Sequence, residues 1–283
     1  MAQFRFSTVP CVECGAGALA GIGGHCGKLA IARVLVVTDP GLVELGLVDP
    51  LARALREAGV AFEVFSEVRE DPPAATVLDA VAQAQRFEAE GVIGIGGGSS
   101  MDVAKLVAVL VASGENLEDI YGVDQVRGRR LPLIQVPTTA GTGSEMTAVA
   151  IVTTGETTKA GVVSETLLAD VAILDPELTL GMPPALTAMT GIDAMVHAIE
   201  AYTSIHRKNP YSDMLAREAL RLMSANIRTA FRQGDNRDAR EAMLLGAMLA
   251  GQGFANAPVA AVHALAYPCL LYTSDAADDS ALV

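Results

Sequence analysis

The sequence predicts an α/β domain with a parallel sheet over residues 1–180, an all-helical domain over 181–268 and an atypical tail over 269–283. Three observations carry this prediction. β-Branched runs alternate with helix-forming stretches as far as Leu174; strand signals then cease until the last few residues; and one strand runs directly into three consecutive glycines ahead of a helix.

The run ARVLVVT at 32–38 is continuous and β-branched, as suits a strand buried on both faces of a parallel sheet. Asp39 closes it. Residues 51–58 form helix with charges on one side, Gly59 ends that helix, and 60–65 alternate as a second strand. A helix over 74–90 passes through Gly91 into a short strand at 92–95, and another helix opens near Ser100. Strands follow at 133–136, 148–153 and 171–174. Met182-Pro183-Pro184 then starts a long helix rich in Ala, Met and Leu, because proline's missing N–H costs nothing at the first helical position. Helical periodicity resumes at 212–231 and 237–251, and no internal repeat interrupts the chain.

With 283 residues and 51% hydrophobic content, the chain can bury a sizeable core. Its net charge of −13 and pI near 4.7 repel phosphate-rich polymers and anionic surfaces, which argues against nucleic-acid and membrane partners. The first ten residues lack a basic region followed by an apolar run. The longest apolar stretch, 106–112, falls far short of the roughly 20 residues that span a bilayer. A cytoplasmic protein is expected. Four cysteines in a chain of this length do not make a disulfide framework. With no second C-x-x-C, Cys11 and Cys14 read as two reduced thiols in a strand or turn rather than a zinc or redox pair.

Candidate chemistry begins where the strand at 92–95 meets Gly96-Gly97-Gly98-Ser99-Ser100 and a helix carrying Asp102 and Lys105. Glycines at a helix start let an anion approach backbone N–H groups and the positive end of the helix dipole, as a pyrophosphate site requires; a tight turn is the plainer alternative. A second loop, residues 137–145 (PTTAGTGSE), follows a strand and concentrates hydroxyls and glycines able to meet ribose or phosphate oxygens. Asp39, at the end of an early strand, can accept bonds from a ribose 2′-hydroxyl and repel a 2′-phosphate. Together the three favour NAD over NADP. In the helical domain, Asp193 and His197 stand four residues apart on one helix face, a spacing that suits either a metal chelate or a helical hydrogen bond. His263 lies in an otherwise apolar helix and is a third candidate ligand, while His25 and His206 read as surface residues.

The segments GGGSSMDVAK (96–105), PTTAGTGSE (137–145), MPPALTAMTGIDAMVHAIEAY (182–202) and VHALAYP (262–268) resemble, in order and spacing, the motifs of the iron-containing (group III) alcohol dehydrogenases. The resemblance implies a metal-dependent oxidoreductase that moves hydride between NAD(H) and a small alcohol or its aldehyde or ketone. It also implies a dehydroquinate-synthase-like dinucleotide-binding domain, a helical domain, an active site in the cleft between them, and a homo-oligomer. By position, Gly97, Gly98, Ser99 and Asp102 would hold the pyrophosphate and nicotinamide side, and Thr138, Thr139, Thr142 and Ser144 would line the cofactor loop. Asp39 would take the adenosine ribose and Lys159 the nicotinamide ribose, with Asp193, His197 and His263 as metal ligands and Tyr267 as the proton-relaying group. The family name suggests Fe²⁺, and the same donors admit Zn²⁺. The wording of the first two segments argues against a glycerol dehydrogenase or a dehydroquinate synthase.

Beyond Pro268 the family pattern stops. Ala277 stands where a fourth ligand histidine belongs, and no histidine follows His263. A truncated or frame-shifted reading frame with a foreign tail is expected, leaving the helical domain incomplete. A second functional reading follows, that of a nucleotide-binding fragment without catalysis. Which alcohol or aldehyde reacts is not written in the sequence.

Overall fold

Residues 3–155, 158–205 and 207–258 are described by the computed structural model. Within them, continuous apolar sequence becomes buried parallel strand, as the hydropathy predicts. The elements of the first unit are β1 (Cys11–Cys14), α1 (Ile22–Lys28), β2 (Arg33–Val37), α2 (Pro40–Glu44), α3 (Asp49–Glu57), β3 (Ala61–Phe65), α4 (Ala74–Arg86), β4 (Gly91–Gly96) and α5 (Gly98–Ser113). They continue with β5 (Gly122–Val123), β6 (Leu133–Pro137), β7 (Val149–Thr154), β8 (Thr158–Val163) and β9 (Val171–Leu174). A six-stranded parallel sheet runs in the order β1-β9-β6-β4-β2-β3, with Val36 opposite Ile93 and Ile93 opposite Ile134 at its centre. Every residue of β4, β6 and β9 is buried, as a sheet covered on both faces demands. β7 and β8 form an antiparallel hairpin that β5 extends into a second, three-stranded sheet.

This sheet unit comprises Val9–Thr138 and Ala148–Asp175. The other compact unit gathers residues 3–8, Thr139–Thr147 and the described residues from Pro176 onward. Its helices are α6 (Pro184–Thr203), α7 (Pro210–Arg232) and α8 (Arg237–Asn256), each packed against the other two. Asn209 and Asn236 cap α7 and α8, accepting from Ser212 N and Ala239 N. Gly191 and Gly246 bring helices close, because a Cβ there would lie 2.7 Å from Met243 Cε and 2.4 Å from Met223 Cγ respectively. Arg240, 1% exposed, donates to Gly234 O, Thr187 Oγ1 and Met182 O at 2.8, 2.8 and 3.0 Å and so ties three segments of this unit together. Among the described residues, no helix is long and apolar enough to cross a membrane.

Several local expectations change. The helix expected to 90 stops at Arg86, because Glu88 turns left-handed (φ +53°) and Ala89 N bonds back to Ala84 O in a Schellman-type closure. β1, β5 and β8 were not expected as strands; β1 and β5 carry one β-branched residue each, and in β8 Lys159, Ala160 and Gly161 interrupt the β-branched residues. Cys11 and Cys14 fall within β1, where an odd offset puts their side chains on opposite faces. His25 is not a surface residue: α1 buries it to 7% exposure, and its Nε2 lies 2.5 Å from Glu13 Oε2 on β1.

Candidate functional site

In the sheet unit, the chain leaves β2 toward β3 on one side, returns to β4, and proceeds toward β6 on the other. The loops after β2 and β4 therefore diverge at a topological switch point, the place where parallel α/β sheets take ligands. Gly96 closes β4 with φ +149°, a conformation that favours glycine, and a Cβ there would sit 2.7 Å from Ser100 Oγ. α5 opens at Gly98 with Gly97 at its cap position and no side-chain cap bond. Its leading N–H groups are thus left to a ligand or water, with the dipole favouring an anion. Gly97 and Ser99 are half-buried at this turn, while Gly98 is buried. Thr138, also buried, donates its backbone N–H to Gly96 O at 3.0 Å and fixes the end of β6 beside the turn. Thr38, at the end of β2, is fully buried and its Oγ1 has no hydrogen-bond partner among the described residues, which fits a polar ligand at this edge.

The acidic candidates have additional work. Asp39 caps α2, its Oδ1 accepting from Leu42 N at 3.0 Å. Asp102 lies against the buried Lys105, whose Nζ is 3.1 Å from Oδ1 and also donates to Val149 O at 2.7 Å. The other carboxylate oxygen accepts from Ile151 N at 2.9 Å, so the pair fastens α5 to β7. Lys159, on β8, forms an ion pair with Asp71 at 2.6 Å. Asp71 is itself left-handed (φ +48°), and its carbonyl accepts from Thr153 Oγ1 at 3.0 Å. Asp71 and Thr38 were not legible beforehand: D-P-P signals only a turn, and a strand-end threonine signals nothing.

In the helical unit, Thr139 and Thr142 are half-buried and Ser144 is buried, within a loop held by Ser144 N to Thr142 Oγ1 and Thr147 Oγ1 to Ser144 O contacts. On α6, Asp193 Oδ1 lies 3.7 Å from His197 Nε2, and the imidazole stacks on Phe254 with centroids 4.3 Å apart. That separation exceeds a good hydrogen bond and lies within the roughly 4 Å that two donors bound to one divalent ion at about 2 Å each can span. The donor chemistry, one carboxylate and one imidazole, fits such an ion. Among the described residues, no group of three or more metal-ligating side chains occurs. His263, Tyr267 and His206 lie outside the described residues.

A parallel-sheet unit with a glycine turn at its switch point, joined in one chain to a helical unit, defines an α/β protein whose sheet carries a ligand-binding edge. Sequence comparison narrows this: the family model for iron-containing alcohol dehydrogenase matches residues 10–176, and that for the Fe-containing alcohol dehydrogenase C-terminal region matches 187–270. The chain belongs to the iron-containing alcohol dehydrogenase family, whose members are oxidoreductases acting on alcohols. It is 45% identical over 271 residues to long-chain-alcohol dehydrogenase 1 of Geobacillus thermodenitrificans, a match that covers 95% of this chain and 68% of that protein. Its fold superposes on a 1,3-propanediol oxidoreductase with a TM-score of 0.93 at 36% identity, covering 96% of this chain and 71% of the other. It also matches the sulfoacetaldehyde reductase of Bifidobacterium kashiwanohense, solved in complex with NAD⁺, with a TM-score of 0.88 at 30% identity over 95% and 72% of the two chains.

Proposed function

We propose that this chain carries the machinery of an NAD-dependent, metal-dependent alcohol dehydrogenase that moves hydride between a small alcohol and its aldehyde or ketone. The observation that carries this reading is the uncapped start of α5, following a left-handed glycine at the switch point of the sheet. Gly97, Gly98 and Ser99 offer backbone N–H groups to a pyrophosphate, and Asp39 keeps one carboxylate oxygen beyond its capping bond for a ribose hydroxyl. Asp102 supports the cofactor side by holding α5 against β7, and Lys159, held by Asp71, offers its ammonium to ribose oxygens. Thr138, Thr139, Thr142 and Ser144 are assigned to supply hydroxyls to the cofactor.

Asp193, His197 and His263 are assigned to a divalent ion, Fe²⁺ by family or Zn²⁺ by donor chemistry. When bound, it would supply Lewis acidity to the alcohol oxygen. Phe254 packs against one face of the His197 ring. Tyr267 is assigned to proton relay. A cytoplasmic setting and self-association belong to the same proposal.

The test pairs NADH binding by fluorescence with NAD-dependent oxidation of propanol or 1,2-propanediol after anaerobic loading with Fe²⁺ or Zn²⁺. Binding with metal-dependent turnover, lost in Asp193→Ala and His197→Ala, supports the reading. NADH binding without metal uptake or turnover would instead make the chain a nucleotide-binding fragment, and no NADH binding would remove both readings.

A further inference from the structure

The hydroxyl loop of residues 139–147 is seated on two helices of its own unit by glycines. A Cβ at Gly141 would lie 2.7 Å from Thr190 Cβ and 3.2 Å from Thr190 Cα on α6. At Gly143, which is left-handed (φ +63°), a Cβ would lie 2.6 Å from Gly251 Cα on α8. The contact is reciprocal, since a Cβ at Gly251 would meet Gly143 Cα at 2.7 Å and Gly143 O at 2.9 Å. Backbone therefore lies directly on backbone, and neither partner can yield by turning a side chain. Thr190, Asp193 and His197 fall at i, i+3 and i+7 and so share one face of α6. The surface that supports Gly141 is thus continuous, along one helix, with the side chains assigned to the metal.

We infer that Gly251 and Thr190 are positioning residues for the cofactor hydroxyls. α8 and α6 set where Thr139, Thr142 and Ser144 stand, and they refer that loop to the same helix face that carries Asp193 and His197. The inference rests on the reading of the loop as a cofactor loop and goes beyond it by naming what fixes the loop in place. Gly251 acts on the loop through backbone contact, and Thr190 through its Cα, Cβ and Cγ2. The physical ground is that a catalytic or binding group displaced by about 1 Å loses most of its effect, and a new methyl at Gly251 must push Gly143 aside by a comparable distance.

Gly246 supplies the control. It lies on the same helix, and a Cβ there would meet Met223 Cγ on α7 at 2.4 Å, a contact away from the loop. NADH dissociation constants and thermal midpoints are to be measured for the wild-type chain, Gly251→Ala, Gly246→Ala and Thr190→Ala. Gly251→Ala is expected to weaken NADH binding at least about tenfold. Gly246→Ala is expected to lower the thermal midpoint and leave NADH affinity at the wild-type value. Thr190→Ala adds no atoms, so it remains informative even if Gly251→Ala fails to fold; it removes Thr190 Cγ2, 3.3 Å from where a Cβ at Gly141 would lie, and should weaken binding about threefold by loosening the support beneath Gly141. Wild-type affinity in Thr190→Ala together with either wild-type affinity or failure to fold in Gly251→Ala overturns the inference, as does equal weakening in Gly251→Ala and Gly246→Ala. A wild-type chain that binds no NADH overturns the cofactor reading itself, an outcome distinct from these.

Discussion

Arg240 shows how a single side chain can hold a unit together. Burial lowers its pKa, and hydrogen bonds to two main-chain carbonyls and a threonine hydroxyl offset the cost of desolvation. Arg240→Ala leaves those acceptors without their donor and is expected to cost about 3 kcal/mol in urea unfolding; Arg240→Lys should recover little of it, because one ammonium cannot reproduce the fork. Cys26 gives a pH-dependent effect. It is fully buried, and desolvation pushes its thiol pKa from 9.0 up to about 11. The unfolded chain ionises first, so this contribution to stability is intact below pH 9 and is lost as pH rises from about 9 toward 11. Unfolding free energies of wild type and Cys26→Ala should therefore diverge less at pH 10.5 than at pH 8. The Asp71–Lys159 pair is partly exposed, 35% and 25% at the side chains, so it adds little stability. Asp71→Asn should change unfolding free energy by less than about 1 kcal/mol while raising the KM for NAD, a split that separates holding the ammonium from holding the fold.

At the scale of elements, the join between α5 and β7 depends on one buried cation. Lys105, 0% exposed, binds Asp102 and Val149 O. Lys105→Met is expected to cost about 3 kcal/mol, since it removes the cation paired with the Asp102 carboxylate, and a compensating Asp102→Asn should recover part of that loss. Amide exchange at Ile151, whose N–H donates to Asp102, would report the same event locally. The turn ahead of α5 makes a second demand. Gly96→Ala places a Cβ 2.7 Å from Ser100 Oγ in a backbone region that side chains avoid, so it should abolish NADH binding and lower the thermal midpoint. Local sequence made this turn legible, because a β-branched run followed by glycines and a helical stretch is a short-range pattern. The ends of helices were less so: α4 closes at Arg86 because Glu88 takes a left-handed conformation usually reserved for glycine, which no local signal announced.

At the scale of the whole molecule, the alternation of strand and helix up to Leu174 and the helices after it could be read from the sequence, because burial on both faces leaves a continuous apolar run and burial along one face leaves a period in the residues themselves. The same holds for Asp193 and His197, whose juxtaposition follows from helix pitch alone. The glycine turn and the family motifs are likewise written in contiguous residues, and by resemblance alone they point to the iron-containing alcohol dehydrogenases. What only the tertiary structure decided are pairings between residues far apart in the chain. Lys159 meets Asp71 across 88 residues, Arg240 meets Thr187 across 53, and His25 is drawn inward to Glu13. Contacts also group Thr139–Thr147 with the helices rather than with the sheet that precedes it, because Gly141 and Gly143 lie against Thr190 and Gly251. Periodicity records which face of an element is buried; it carries no record of which distant residue covers that face.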